Sequence, residues 1–528
     1  MPVLNSLTPG ELMTVQKIWD YFESFRPQIA EKERRLYGKE PKWVEPRPLE
    51  VVAANGETVN LRGGYYPIKY DPVASIRAES HSDAEEAKRM LQGAYTSATT
   101  RRSFTKSRVE AVKGRPLLYT LSGMYSGIND VIHDLAWHEW LIDANKLMKS
   151  QSIDEAIRSQ YGPEFKEQLK TWVNDVAVGE RTANNSGEIA LNRLRQGISA
   201  AGLGFNVMSA LQQITGFNQS IVRVGAGYIG RGVAKVLSSP VLAIQEVNSK
   251  SSFMANRART QFRELNELRN MVQDESKVMR TVKTGAYFMM ARMQRLVDTP
   301  TWLGAYEKAI GEGNDENRAI ALADQAVIDS QGNGMMKDLS AIERGGPALK
   351  LFTVYYSYMN TVFNLTAAQT MTAQSKGKLA ADYLMLFIVP VVLTTALKSA
   401  FTPGGDDEWD WEEIARKLGA EQLSYLMGTM IVVRELGEAA KVVTGAEGGA
   451  RDYSGPAGLR AISDAYKFLK QASQFEFDDA FRKSAINLLG DLTGLPSAQV
   501  NRTITGVKAL VEGETQNPAA AILGFQPK

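Results

Sequence analysis

Apolar residues recur at helical spacing along most of this chain. Between residues 8 and 37 the stripe is Leu12, Val15, Ile18, Trp19, Phe22 and Phe25; Thr8 is placed to cap the helix, Pro9 suits its first turn, and Pro27 is expected to bend or split it. The period then changes. Leu49 to Ala53 and Thr58 to Leu61 flank Asn55-Gly56, a pair suited to the positive φ angles of a tight turn, and together they predict a small β-hairpin. Residues 62–72, with paired glycines, two prolines and three tyrosines, predict an extended, ordered loop.

Helical periodicity resumes near Ser82 and predicts helices over 117–150, 153–161 and 163–178, ending in a polar loop at 179–187 that marks a unit boundary. Residues 196–222 carry no charge, although Asn206, Gln212, Gln213, Asn218 and Gln219 interrupt them. Their small residues suit close packing in a helical core, the expected outcome, or reversible membrane insertion. Further on the pattern predicts one long helix over 241–271, another over 276–296, and a new one opened by Pro300 and Trp302. Two or three short helices follow up to residue 344, and Gly345-Gly346-Pro347 breaks the chain. An aromatic amphipathic helix at 348–370 comes next, and amphipathic helices at 459–472, 477–492 and 497–512 precede an apolar tail at 519–525.

The longest apolar run is Tyr383 to Leu397, within Asp382–Pro403. It sits at the lower edge of the roughly 17–25 residues that a bilayer-spanning helix needs. Its membrane-prone residues are Tyr383, Leu384, Leu386, Phe387, Ile388, Val389, Val391, Val392 and Leu393. A shorter run, Gln422 to Val433, adds Leu426, Met430, Ile431 and Val432; an acidic turn at 406–413 joins the two runs into a conditional helical hairpin. Pro390 would kink a permanent span. The expected soluble state therefore buries the first arm against the aromatic helix at 348–370, with membrane contact only on release.

Charge and composition narrow the chemistry. The formal net charge is +2, which argues against a nucleic-acid coat made of the whole chain. Local charge is uneven: Arg101, Arg102, Lys106, Arg108, Lys113 and Arg115 face a single acid, Glu110, within Thr100–Pro116. Such a patch attracts DNA phosphate or anionic lipid, and a solvated loop would also account for it. The absence of Cys excludes disulfides, thiol catalysis and thiolate metal sites. The first residues lack the basic and apolar regions of a secretory signal, so export by the general route is not expected.

Two motifs invite chemistry. His133 and His138 lie with Asp134 and Glu139 on one predicted helix, but five residues separate the imidazoles by about 140° around the axis, so a structural role is expected. Gly225, Gly227 and Gly230 match G-x-G-x-x-G after the strand-like run 220–224, with Glu246 placed where a ribose ligand would sit. That fingerprint demands a continuing βαβ sheet, and the following hundred residues are helical in period; Arg223 would also charge a buried strand. A nucleotide-binding enzyme built on Gly225–Gly230 is the alternative reading. The expectation is no enzyme, no cofactor and no metal.

Several segments resemble a helical module of the internal, or DNA-ejection, proteins of very large tailed bacteriophages. They are Gly63-Gly64-Tyr65-Tyr66-Pro67-Ile68-Lys69-Tyr70-Asp71-Pro72, residues 131–136 (VIHDLA), 297–310 (VDTPTWLGAYEKAI), 321–332 (ALADQAVIDSQG) and 344–361 (RGGPALKLFTVYYSYMNT), within about residues 60 to 365. None is a catalytic motif, so the resemblance implies architecture and setting. It implies a protein packaged in the virion and ejected with the genome into the host envelope, there forming or lining a conduit for DNA. Its partners would be copies of itself, other virion proteins, double-stranded DNA and, conditionally, the host membrane. A purely structural virion scaffold is a further alternative. The expected fold is mainly α, an elongated multi-helix architecture with one small β-hairpin near residues 49–61. Its units would be residues 1–80, 81–185, 186–345, 346–445 and 446–528.

Overall fold

The amphipathic stripes close into helices in a computed structural model, which describes residues 3–41, 43, 45–67, 122–179, 186–203, 206–260, 288–346, 350, 353, 356–401 and most of 464–525. Among these the fold is mainly α, with β structure confined to one two-stranded antiparallel sheet. The chain divides into two compact units, Met1–Ile189 and Ala190–Lys528.

In the first unit α1 (Pro9–Glu23) starts at a capping box. Glu11 N–H donates to Thr8 Oγ1 at 3.3 Å, and Thr8 N–H donates to the Glu11 carboxylate at 2.8 Å. The stretch is split in two, one of the two outcomes expected of Pro27: the chain breaks at Ser24–Phe25, and Pro27 sits in the first turn of α2 (Arg26–Tyr37), where a missing N–H costs nothing. The hairpin forms as β1 (Leu49–Val52) and β2 (Thr58–Leu61), in the register Val51↔Val59 and Leu49↔Leu61. These residues pack on Leu12 and Trp19 of α1. The loop beyond runs flush against the unit, since a Cβ on Gly64 would lie 2.4 Å from Trp19 Cβ. Helices α3 (Ser122–Lys149), α4 (Gln151–Tyr161) and α5 (Pro163–Val178) complete the unit around Leu141, Val173 and Ala177.

In the second unit the uncharged stretch forms α6 (Ser186–Leu203, in this unit from Ala190), α7 (Val207–Gln212), a 3-10 turn (Gln213–Thr215) and α8 (Gly216–Val224). Ile198, Ala200, Ala201 and Ala210 are buried there, as a helical core requires. After α9 (Ala226–Ser238), the predicted 241–271 helix is interrupted at Ser251 between α10 (Pro240–Lys250) and α11 (Ser252–Thr260). The Ser251 hydroxyl caps Met254 N–H at 2.9 Å and donates to Asp324 Oδ1 at 2.6 Å, so a distant partner fixes the break.

The central element is α12 (Phe288–Gly311). It runs straight through Pro300, which the sequence pattern makes a helix start. Burial overrides the local penalty: every residue from Val297 to Ala305 is buried, and Trp302 is fully enclosed. It packs on α9 and on α13 (Glu316–Gln331). The approach to α9 is glycine-limited on both sides, because a Cβ on Gly232 would fall 2.2 Å from Pro300 O and one on Gly304 would fall 2.6 Å from Tyr228 O. Against this core lie α14 (Tyr356–Thr372) and a continuous helical run of α15 (Lys376–Tyr383), a π turn (Leu384–Ile388) and α16 (Val389–Phe401). α17 (Asp479–Thr493), α18 (Ser497–Glu512) and the short α19 (Ala520–Leu523) follow.

Candidate membrane-contact helix and its polar seat

The α15–α16 run begins with Ser375 Oγ accepting the Lys378 N–H at 3.2 Å, and its first turns carry the Lys378–Asp382 ion pair at 2.6 Å. Beyond Asp382 no charge occurs until Lys398. Residues Lys376–Ala396 form a 21-residue helix apolar enough to cross a membrane. At 1.5 Å per residue it is ~31 Å long, close to the ~30 Å hydrocarbon thickness of a bilayer. The π turn ends where Val389 N–H reaches Leu384 O, just ahead of Pro390. Proline has no N–H to give Leu386 O, and widening the preceding turn lets the helix continue past the ring.

Only one side of this run is seated. Leu386 is fully buried in a cluster with Val222 of α8 and with Val362 and Leu365 of α14, and Val391 is also buried. Tyr383 hydrogen-bonds Thr370 through its hydroxyl at 2.7 Å, and its ring meets Phe387 edge-on. Val389 is half-buried. The opposite side is open: Leu384 is 56% exposed, Ile388 40%, Val392 45% and Leu393 39%. The expected burial against the aromatic helix is therefore corrected to burial of one face. Only 17% of the apolar window is buried: the face toward α8 and α14 is covered, and the face carrying Leu384, Ile388 and Val392 is not. The second arm, with Leu426, Met430, Ile431 and Val432, lies outside the described residues, as does the acidic turn.

The core behind this helix is unusually polar, and it joins stretches 297–302 and 321–332 to Arg257, Gln294 and the start of α8. Arg257 Nε donates to Asp298 at 3.1 Å with both side chains almost fully enclosed. Gln294 donates to Asp298 and to Gln331, each at 2.9 Å. Gln331 donates in turn to Gly216 O and Ser220 Oγ, and Ser220 shares a proton with Thr301 at 2.7 Å. Trp302 Nε1 donates to Asp324 Oδ1 at 2.7 Å. Burial pushes the Asp324 carboxyl above its ordinary value, against the two hydrogen bonds it accepts. Arg223 pairs with Asp329 at 2.8 Å. Such interlocked polar groups fix one arrangement of α8, α12 and α13. Sequence periodicity missed Arg257, Gln294, Asp298 and Asp324; the available signal was a run of polar residues, Asp298, Thr299 and Thr301, inside an otherwise core-like helix.

The G-x-G-x-x-G match passes from one helix directly into the next, without the preceding strand its fingerprint requires. The strand-like run 220–224 is the end of α8, and Gly225 at φ 112° turns the chain into α9. Glu246 pairs with Lys235 at 2.8 Å. The two histidines of α3 diverge: His133 meets Ala177 O at 3.2 Å, and His138 meets the Tyr37 hydroxyl at 3.0 Å. Between them Asp134 pairs with buried Lys32, and Glu139 takes both arms of the Arg35 guanidinium at 2.9 Å, which holds its carboxyl below its ordinary value. Among the described residues no three metal-ligating side chains converge. Arg101, Arg102, Lys106, Arg108, Lys113 and Arg115 lie outside the described residues. Comparison of the chain with protein-family models, with curated proteins and with solved structures found no match.

Proposed function

We propose that this chain is a bacteriophage internal virion protein, packaged with the genome and ejected with it, that forms or lines a conduit for DNA across the host envelope. The observation that carries the reading is the α15–α16 helix, bilayer-long, uncharged through its centre and apolar on an open face. The resemblance of residues 60 to 365 supplies the setting, and a mainly α fold agrees with it. In this role the protein works as an assembly of copies with other virion proteins. The helix enters lipid, and Arg101, Arg102, Lys106, Arg108, Lys113 and Arg115 meet DNA phosphate. The chain does no covalent chemistry and needs no cofactor.

Flotation with vesicles of phosphatidylethanolamine and phosphatidylglycerol tests the membrane step. Ile388 lies near the middle of the span and is exposed, so Ile388→Asp leaves the fold intact. A charge at the centre of a spanning helix opposes insertion by roughly 2.5–3.5 kcal/mol. Vesicle partitioning of the variant is expected to fall about 100-fold. Equal flotation of variant and wild type would show lipid binding that does not use this helix and would overturn its role, and flotation of neither at any lipid concentration favours a scaffold that never meets lipid.

A further inference from the structure

Helix α8 presents a mixed face to the apolar helix. Val222 packs with Leu386, and one helical turn earlier on the same side come Asn218 and Gln219, 4% and 1% exposed. Asn218 Nδ2 and both polar atoms of the Gln219 side chain have no hydrogen-bond partner. The other partner in the contact repeats the pattern. α16 packs on α7, the 3-10 turn and α8, and one turn beyond its buried Val391 the Thr395 hydroxyl is enclosed and unpartnered. By contrast, Gln294, Gln331, Ser220 and Thr301 satisfy one another a short distance away in the same core.

A buried polar group without a partner has given up water and gained nothing, so it weakens the state that buries it. We propose that the contact between α8 and the α15–α16 helix is a release joint. Undocking hydrates Asn218, Gln219 and Thr395 and frees Leu386 and Val391 for lipid, so the docked helix sits close to its point of release. The purpose of the joint rests on the membrane reading above; its instability does not.

Hydrogen exchange read by mass spectrometry on the full chain separates the two. Gln219→Leu and Thr395→Val each remove an unpartnered group while keeping bulk, and Gln219→Met repeats the first change with an unbranched side chain. Amides of residues 384–396 are expected to exchange roughly tenfold more slowly in each variant, while those of α9 stay as in wild type. Unchanged or faster exchange at 384–396 in Thr395→Val and in both Gln219 variants overturns the joint. Slower exchange with undiminished vesicle flotation upholds the joint and counts against its use in membrane entry.

Discussion

Asp324 takes both of its hydrogen bonds, from Ser251 and from Trp302, on the single oxygen Oδ1. An asparagine in its place keeps that acceptor and sheds a charge that burial disfavours. Because the folded carboxyl titrates above its unfolded value, the folded state binds the proton more tightly. Its favourable contribution is complete below the ordinary Asp range and is lost as pH rises through the raised value. Asp324→Asn is therefore expected to match or exceed wild-type stability at neutral pH, with the difference shrinking as pH falls towards the ordinary Asp range in urea titrations. Loss of the carboxylate has the opposite effect in the Arg257–Asp298 ion pair. Each side chain is enclosed and hydrogen-bonded, so Asp298→Ala removes the carboxylate partner of a buried guanidinium, with an expected loss of about 3–5 kcal/mol in equilibrium urea unfolding. Neither carboxylate was legible in the sequence as a core residue. The partners that draw them inward, Arg257 for Asp298 and Ser251 for Asp324, lie 41 and 73 residues away, beyond the reach of any periodic pattern.

At the level of elements, local signals worked where local chemistry decides the outcome. Thr8 and Glu11 cap α1, Asn55-Gly56 turns the hairpin, and Pro163 opens α5, all as the residues dictate. They failed where packing decides. α12 passes through Pro300 because its neighbours enclose it, and α10 stops at Ser251 because Asp324 holds the hydroxyl. The glycines show the same division. Gly227 and Gly230 belong to the fingerprint, yet an added Cβ meets nothing within 4 Å at either. Gly232 and Gly304 lie outside it and touch backbone. Thermal unfolding is expected to show Gly230→Ala neutral or stabilised by up to about 1 kcal/mol. Gly232→Ala and Gly304→Ala are each expected to lose about 1–3 kcal/mol or more, since carbonyl oxygens cannot step aside. A phosphate-binding loop would produce the reverse order. The one-sided seating of α15–α16 was also illegible, because an apolar run reads alike whether one face or both are covered.

At the scale of the whole molecule, two units carry different parts of the proposed role. The first holds polar and aromatic packing around α1, α2 and α3, and the basic residues lie in its sequence. If these residues meet DNA, Arg101→Ala with Arg102→Ala is expected to weaken duplex binding regardless of sequence, and to make the log–log salt dependence shallower by about 2. The second unit holds the interlocked polar core and, on its surface, the helix on which the reading depends. Since the chain has no Cys, one introduced thiol can be labelled without background. Ile388→Cys carrying an environment-sensitive fluorophore, mixed with phosphatidylethanolamine–phosphatidylglycerol vesicles containing spin-labelled lipids, reports directly on that helix. The account predicts a blue-shifted emission quenched most strongly by labels near the bilayer centre. Emission that stays at its aqueous wavelength and unquenched at saturating lipid would contradict it.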